Sequence, residues 1–413
     1  MNTVDAYIGL GLALGRHIDG LVDAYYGPPE PARRAAAGDP VPAAELARRA
    51  GELLGALDSD HSLEDGRRRW LRAQVTGLRT TARKLAGEAI GYADEVELSY
   101  GVRPRRVDED VLAAAHRRLE DVLPGSGPLA DRFVEWREAQ AVAPDLLARA
   151  IGSLCEDLRE RTRARFGLPD GEHVDFELVT GQPWAGFNFY LGELQSRVAV
   201  NTDLPVLSTS LAHLVAHEAY PGHHTEHSRK EVGLVRGRRW LEESIFLVGT
   251  PQCLLAEGLA DLGLEVVMGE RPEPVVAGHL RPLGIRYDAE VAAAVAQAGE
   301  DLGWVRANAA FLLHEDGAPP DEVVEYVARW SLTSRERAEK SVAFLLDPTW
   351  RAYVTCYVEG FRLCRAFVSG RPERFSRLIS EQLVPADLSL SAPPNVSLSA
   401  PPNVSLSAPP GPP

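Results

Sequence analysis

Residues 211–230 read LAHLVAHEAYPGHHTEHSRK, and this stretch guides the interpretation of the whole chain. In an active-site helix with the pattern His-Glu-x-x-His, two imidazoles lie one turn apart and the glutamate beside them is the general base. His217 and Glu218 begin this pattern, but Pro221 and Gly222 stand where the helix should continue. Because proline kinks a helix and glycine loosens it, the spacing predicts a metal-binding helix swollen by two residues before its second histidine ligand.

The second histidine ligand can be chosen in two ways. His223 directly follows the two extra residues and is the simplest partner for His217. In a straight helix, at about 100° per residue, His224 would return to within about 20° of His217, whereas His223 would point away. The kink makes straight-helix geometry a poor guide, so the residues alone leave both histidines as candidates.

A third ligand is expected further along the chain, where residues 256–261 read AEGLAD. Glu257 and Asp261 are four residues apart and share one face of a leucine-rich helix. Because a buried carboxylate pair needs a cation, Glu257 is the predicted third ligand. Asp261 is predicted to accept a hydrogen bond from a ligating histidine and so fix its tautomer. Weaker alternatives for the third ligand are Glu242, Glu243 and Glu265.

The pattern His-Glu-x-x-Pro-Gly-His followed by Glu-Gly resembles the DUF885 family, a bacterial group assigned to the zincin-like metallopeptidases. The likeness extends to about residue 385 and includes Tyr-Tyr-Gly-Pro at residues 25–28, His314, and Tyr-Val-Glu-Gly at residues 357–360. The resemblance implies a zincin-like fold and favours His223 over His224, because the histidine after Pro-Gly is the constant one in the family. Many relatives have an aromatic residue after the glycine of Glu-Gly, where this chain has Leu259; we expect that difference to affect packing only.

These residues together predict a hydrolase. Two histidines, one glutamate and an open fourth position are typical of catalytic zinc, so one Zn²⁺ ion is the expected cofactor. Zinc-activated water would cleave a peptide or a small amide, with Glu218 as the general base. His314 and Tyr357 are candidate donors to the oxyanion, although a helix-capping histidine and a core tyrosine are ordinary alternatives. A strand over residues 197–201 is expected to border the cleft and to pair with an extended substrate.

Two other functions fit the same residues. The chain could be a zinc-dependent hydrolase or tailoring enzyme for a non-peptide small molecule, because a fold does not determine a substrate. It could also be a non-catalytic scaffold stabilised by a metal. Glu218 argues against the scaffold, since a structural metal site needs ligands but no base, whereas a fourth ligand from His213 or His224 would favour it.

The composition narrows the choice of partners and compartment. The chain has 413 residues, of which 45% are hydrophobic, so it can bury a sizeable core. It carries 44 Lys and Arg against 59 Asp and Glu, a net charge of −15, which disfavours nucleic acid and anionic membranes as partners. Four cysteines without a Cys-x-x-Cys pair suit a reducing compartment, and the N-terminus lacks the features of a signal peptide. We therefore expect a cytoplasmic protein.

The predicted fold class is mainly α, a two-lobed zincin-like metallohydrolase with a small antiparallel β-sheet beside the active-site helix. Apolar residues at helical spacing predict helices over 42–57, 63–86, 108–122 and 143–166, and β-branched and aromatic residues predict strands over 174–180, 186–191 and 196–201. One domain is expected over residues 1–385, with a helical lobe at 1–170 and a metal-binding catalytic lobe at 171–385. Three near-identical octads, LSLSAPPN, VSLSAPPN and VSLSAPPG, predict a disordered tail over 386–413.

Overall fold

The computed structural model describes residues 2–182 and 184–389 and is mainly helical. Up to residue 166 the elements are α1 (Thr3–Leu14), β1 (Val22–Tyr25), α2 (Pro29–Ala36), α3 (Ala43–Ser59), α4 (Asp65–Leu85), α5 (Tyr92–Tyr100), α6 (Glu109–Val122), α7 (Leu129–Glu138) and α8 (Pro144–Phe166). The four helices predicted in this part are confirmed as α3, α4, α6 and α8. In α4, Trp70, Val75 and Leu78 lie on one buried stripe, which fixes the helix against the core.

A three-stranded sheet follows, made of β2 (His173–Val179), β3 (Gly186–Gly192) and β4 (Gln195–Asn201), close to the predicted strands. Glu193 and Leu194 have φ angles of 54° and 63°, and this two-residue turn joins β3 and β4 as an antiparallel pair. β2 therefore pairs with the other edge of β4, in the order β2-β4-β3. Because the chain reverses direction between β2 and β3, β2 runs parallel to β4. The prediction of an antiparallel sheet is wrong in this respect, since the sheet is mixed.

The remaining elements are again mostly helical. They are α9 (Ser208–Glu218), α10 (His223–Lys230), a π-helical turn (Glu231–Arg236), a 3₁₀ turn (Leu241–Ser244), β5 (Ile245–Leu247), α11 (Pro251–Met268), α12 (Glu273–Leu280), a 3₁₀ turn (Arg281–Leu283), α13 (Ala289–Leu302), α14 (Trp304–His314), α15 (Pro320–Trp330), α16 (Arg335–Leu346), a second π-helical turn (Cys356–Gly360), α17 (Phe361–Val368), α18 (Pro372–Leu378) and α19 (Pro385–Ser389).

A second, two-stranded sheet joins the start of the chain to its middle. β1 pairs antiparallel with β5, and Tyr25 lies opposite Ile245. No pattern along the chain predicts this sheet, because two strands of four and three residues are too short to show an alternation of apolar and polar residues.

The buried apolar side chains form two clusters. The larger cluster combines helices from the first 140 residues with β5, most of α11 and the helices that follow residue 298. The smaller one is formed by α8, β4, α9, α12 and α13. Neither cluster is confined to residues 1–170 or to residues 171–385. α11 takes part in both, with Leu262 in the larger cluster and Val267 in the smaller one, so its central turns lie deep inside the molecule.

No helix in the described part of the chain combines the length and the apolar character that a membrane crossing requires. At the C-terminal end, residues 386–389 of the predicted tail belong to α19, and the side chain of Leu388 is buried. The rest of the predicted tail, residues 390–413, lies outside the described residues.

Candidate metal centre

The histidine-rich segment forms two helices separated by a tight connection. α9 ends at Glu218, the Tyr220–Pro221 peptide bond is cis, and α10 begins at His223. A Cβ atom on Gly222 would lie 1.9 Å from the carbonyl oxygen of His217, so only glycine fits at this position. The helix is therefore interrupted rather than swollen, and His223 is carried by a new helix that begins beside the end of the first.

Three side chains converge at this connection. The Nε2 atom of His223 is 3.1 Å from Nε2 of His217, and Glu257 places Oε2 3.5 Å from His217 and Oε1 3.8 Å from His223. Four ligands around a zinc ion, with bonds of about 2.0–2.2 Å, are separated by about 3.3–3.6 Å, and the three spacings lie within about 0.2 Å of that range, close to three corners of such a site. The Oε2 atom of Glu257 is buried and has no hydrogen-bond partner among the described residues. The donor set therefore fits a zinc ion.

Asp261 supports this group one helical turn beyond Glu257. Its Oδ1 atom lies 2.9 Å from Nδ1 of His217 and 3.3 Å from Nε2 of His213. A proton on Nδ1 of His217, donated to Asp261, leaves Nε2 with a lone pair directed at Glu257 and His223. Burial alone would raise the pKa of Asp261, but its polar contacts with His213 and His217 lower it to about 2. His213, His217 and Asp261 also form a group able to hold a cation, but Nδ1 of His217 is already engaged in that hydrogen bond.

Tyr353 contacts Glu257, which the sequence did not predict. Its hydroxyl group donates a 2.9 Å hydrogen bond to Oε1 of Glu257, and its side chain is buried. Burial, and then the charge of Glu257, raise its pKa well above the usual value, so the hydroxyl keeps its proton. The residue lies 96 positions from Glu257 in an aromatic-rich segment, and no local pattern distinguishes it from a core tyrosine.

His224 turns away from the converging side chains. Its Nδ1 atom is 2.8 Å from Oγ of Ser196, and its Nε2 atom is 3.1 Å from Oε2 of Glu172. The hydroxyl of Tyr220 donates a 2.5 Å hydrogen bond to the same oxygen of Glu172. His224 and Tyr220 therefore anchor both sides of the connection before His223, while His223 faces the cluster. The three-residue groups able to hold a metal in the described chain do not include His224.

Glu218 lies against one face of β3, an edge strand of the mixed sheet. A Cβ on Gly186 of β3 would lie 3.4 Å from Oε1 of Glu218, and the Asn188 side chain donates a hydrogen bond to the Glu218 carbonyl. Burial raises the pKa of Glu218 to about 7; the charge of His217 opposes this shift, and the charges of Glu257 and Asp261 add to it. A carboxyl group with such a pKa exchanges protons near neutral pH, as a general base must.

The two predicted oxyanion donors lie in different parts of the structure. Tyr357 stands in the second π-helical turn with its ring 5.3 Å from that of Tyr353, and after burial the charge of Glu257 raises its pKa most. His314 is elsewhere: its Nε2 atom lies 2.7 Å from the carbonyl oxygen of Leu345, and its ring packs against Tyr92. The structure therefore brings Tyr357 to the cluster and does not bring His314 there, since its ring nitrogen is held at the end of α14.

The strand expected to border the cleft is not the strand that lies beside Glu218. The predicted strand over 197–201 belongs to β4, which is the central strand and has both edges paired. The strand beside Glu218 with an edge unpaired by any described strand is β3. The weaker ligand candidates are likewise engaged elsewhere: Glu242 with Arg67, Glu243 with Gln252, and Glu265 with Arg365.

No family model and no curated protein matches the chain. Among solved structures it is similar to a candidate lipoprotein from Colwellia psychrerythraea, with a TM-score of 0.49 and 15% identity over 84% of this chain and 65% of that one. It is also similar to a candidate lipoprotein of unknown function from Shewanella oneidensis, with a TM-score of 0.49 and 12% identity over 87% and 74% of the two chains. The chain thus spans slightly less than two thirds of the Colwellia protein's length, and likenesses at this level carry no argument about function.

Proposed function

We propose that the chain is a zinc-dependent hydrolase of peptide or amide bonds, with a two-lobed zincin-like fold of the kind found in the DUF885 family. The observation that carries the proposal is the convergence of His217, His223 and Glu257, with Glu218 next to the first ligand in the chain. This donor set, two histidines and one glutamate, is the one that catalytic zinc sites use when a fourth position stays open.

The zinc ion, when bound, would polarise the substrate carbonyl and lower the pKa of a water molecule. Glu218 would accept the proton of the attacking water and deliver it to the leaving nitrogen. Tyr353 would hold Glu257 in place through its 2.9 Å hydrogen bond. Tyr357 would direct its protonated hydroxyl group towards the oxygen on which negative charge develops.

The edge of β3 that no described strand pairs with favours an extended substrate. An extended peptide can pair with an unpaired strand edge through its main-chain amides, and β3 is the strand against which Glu218 lies. A small molecule without a peptide backbone would make no use of this edge. The position of His224, directed at Ser196 and Glu172, speaks against a closed structural metal site.

The experiment compares metal content and peptide turnover in three proteins: the wild type, Glu257→Ala and Glu218→Gln. Zinc is measured by elemental analysis after dialysis, and turnover is measured with a quenched peptide library. We expect one zinc per wild-type chain, loss of zinc from Glu257→Ala, and retention of zinc without turnover in Glu218→Gln. Glu160→Gln, an exposed substitution on α8, is the matched control and should behave as the wild type.

The outcomes separate the competing functions. A wild-type protein that binds no zinc would overturn the proposal. Zinc without peptide turnover, but with Glu218-dependent hydrolysis of small-molecule amides or esters, would favour the small-molecule hydrolase. Zinc that stabilises the fold in the absence of any turnover would favour the scaffold.

A further inference from the structure

Asp23 has an unusual place in the two-stranded sheet. Val22 pairs with Leu247 and Ala24 pairs with Phe246, so Asp23 is the extra residue of a β-bulge and has no partner on β5. Bulges redirect side chains and are frequent beside active sites. Asp23 was not among the residues singled out from the sequence.

The surrounding elements bring β1, which carries Asp23, close to the metal centre. β5 leads directly into α11, which carries Glu257, while β1 packs against β3, with the ring of Tyr26 5.1 Å from that of Tyr190. β3 in turn lies beside Glu218. Consistent with this position, burial and then the charges of Glu257 and Glu218 raise the pKa of Asp23 to about 7.

No described residue compensates the charge of Asp23. Its carboxyl group makes no hydrogen bond or ion pair with any residue of 2–182 or 184–389, and the nearby charged groups that act on it are carboxylates. Its side chain is only partly covered and can meet a ligand. A zinc ion held by Glu257 would keep one positive charge in excess, which offsets either Glu218 or Asp23 but not both. A cation brought by the substrate would supply the remaining counter-charge.

We propose that Asp23 binds the protonated α-amino group of a peptide substrate, so that the chain cleaves peptides close to a free amino terminus. This inference rests on the proposed hydrolase function. In the reaction, the oxygen of water bonds to the carbonyl carbon, the C–N bond breaks, and the nitrogen takes up a proton. The products are an amino-terminal fragment with a new carboxylate and a shortened peptide with a new α-amino group.

The opposite preference, for a free carboxyl end, would need a cation in the site. Arg306 is the candidate, because it makes no ion pair with a described residue and the nearby ionisable group acting on it is Tyr357. We favour the amino end because Asp23 lies on the strand that pairs with β5, which leads into α11 and Glu257, whereas Arg306 lies on α14.

The test uses three versions of one tetrapeptide: a free amine with an amidated carboxyl end, an acetylated amine with the same amide, and an acetylated amine with a free carboxylate. The zinc-loaded full chain is assayed as wild type, Asp23→Asn and Asp19→Asn. Asp19 is exposed four residues earlier and provides the matched removal of charge. We expect the wild type and Asp19→Asn to prefer the free amine, and Asp23→Asn to lose this preference by about ten- to hundredfold in kcat/KM.

The possible results distinguish a failure of the role of Asp23 from a failure of the hydrolase function. Equal wild-type rates on the free and acetylated amines, or a preference set by the carboxyl end, would overturn the role of Asp23 and leave the hydrolase intact. Cleavage of none of the three, together with an inactive library assay, would overturn both proposals. Loss of zinc from Asp23→Asn would show that Asp23 acts on the metal and would contradict substrate recognition. If Asp23→Asn does not fold, the wild-type rates on the free and the acetylated amine still test the proposal, because equal rates would overturn it.

Discussion

Gly258 and Gly360 touch each other through their backbones: a Cβ on Gly258 would lie 2.2 Å from the carbonyl carbon of Gly360. This contact presses α11 against the second π-helical turn. The residue before Gly258 is the candidate ligand Glu257, and Tyr357 lies three residues before Gly360. The two glycines thus allow the ligand and the tyrosine segment to approach each other.

We expect Gly258→Ala to destabilise the protein by about 1–3 kcal/mol or more, because the backbone of Gly360 cannot move aside as a flexible side chain would. Gly152→Ala is the control: Gly152 is exposed within α8, and its Cβ would meet nothing within 4 Å. That change should stabilise the fold by about 0.5–1 kcal/mol. Urea unfolding measures both. Equal stabilities for the two variants would contradict the contact.

Tyr353→Phe removes the hydroxyl group that binds Glu257 at 2.9 Å. Outer partners of metal ligands typically contribute about 10- to 100-fold in metal affinity, so we expect zinc to bind that much more weakly. Competition with a chromogenic chelator measures the change. Tyr326→Phe removes a hydroxyl that accepts a hydrogen bond from Asn308 and should leave zinc affinity unchanged. An unchanged zinc affinity in Tyr353→Phe would show that the Tyr353 hydroxyl does not support the metal site.

Glu172 should make stability depend on pH. Burial alone would raise its pKa, but hydrogen bonds from His224, Tyr220 and Arg159 outweigh burial and lower it. Because the folded pKa is below the unfolded one of about 4.3, the stabilisation is fully present above that pH and is lost as the pH falls through the folded pKa.

Glu172→Gln should therefore be less stable than the wild type at pH 7, by about 1–3 kcal/mol, and the difference should narrow as the pH falls below about 4. Urea unfolding across this range tests the prediction, with the exposed Glu160→Gln on α8 as the reference. A difference that stays constant with pH would show that the carboxylate charge is not what stabilises this network.

Lys230 and Glu226 form a buried ion pair in α10, with 2.7 Å between Nζ and Oε1. Lys230→Met would leave the Glu226 carboxylate buried without a counter-charge, and we expect a loss of about 3–5 kcal/mol. The double variant Lys230→Met/Glu226→Leu removes both charges and should recover most of that loss. A double variant as unstable as the single one would mean that packing, not charge, dominates here.

The features that could be predicted from the sequence are those that depend on local patterns of residues. Helical periodicity located α3, α4, α6 and α8. The four-residue spacing predicted one helical face for Glu257 and Asp261, and in the structure both lie on α11, with Asp261 in contact with His217. Rotation along one straight helix favoured His224 and could not represent the actual geometry, because His223 belongs to a second helix with its own start.

The missed contacts come from distant parts of the chain. Tyr353 meets Glu257 across 96 positions, and Asp23 lies in a bulge of a strand of only four residues. His314 follows an apolar run and was therefore expected to face the cleft. In the structure its Nε2 atom instead lies within hydrogen-bond distance of the Leu345 carbonyl oxygen. Such pairings depend on how helices pack, and no local pattern encodes them.

The pairing of Tyr25 with Ile245 also affects the newly synthesised chain, since β1 leaves the ribosome 220 residues before its partner β5. At about 5–20 residues per second, β1 waits for about 10–45 s with its edge uncovered. An uncovered strand invites pairing with other nascent chains, and short strands and bulges reduce that risk. The four-residue length of β1 and the acidic side chain of Asp23 thus also make β1 a poor template for aggregation while its partner is still being made.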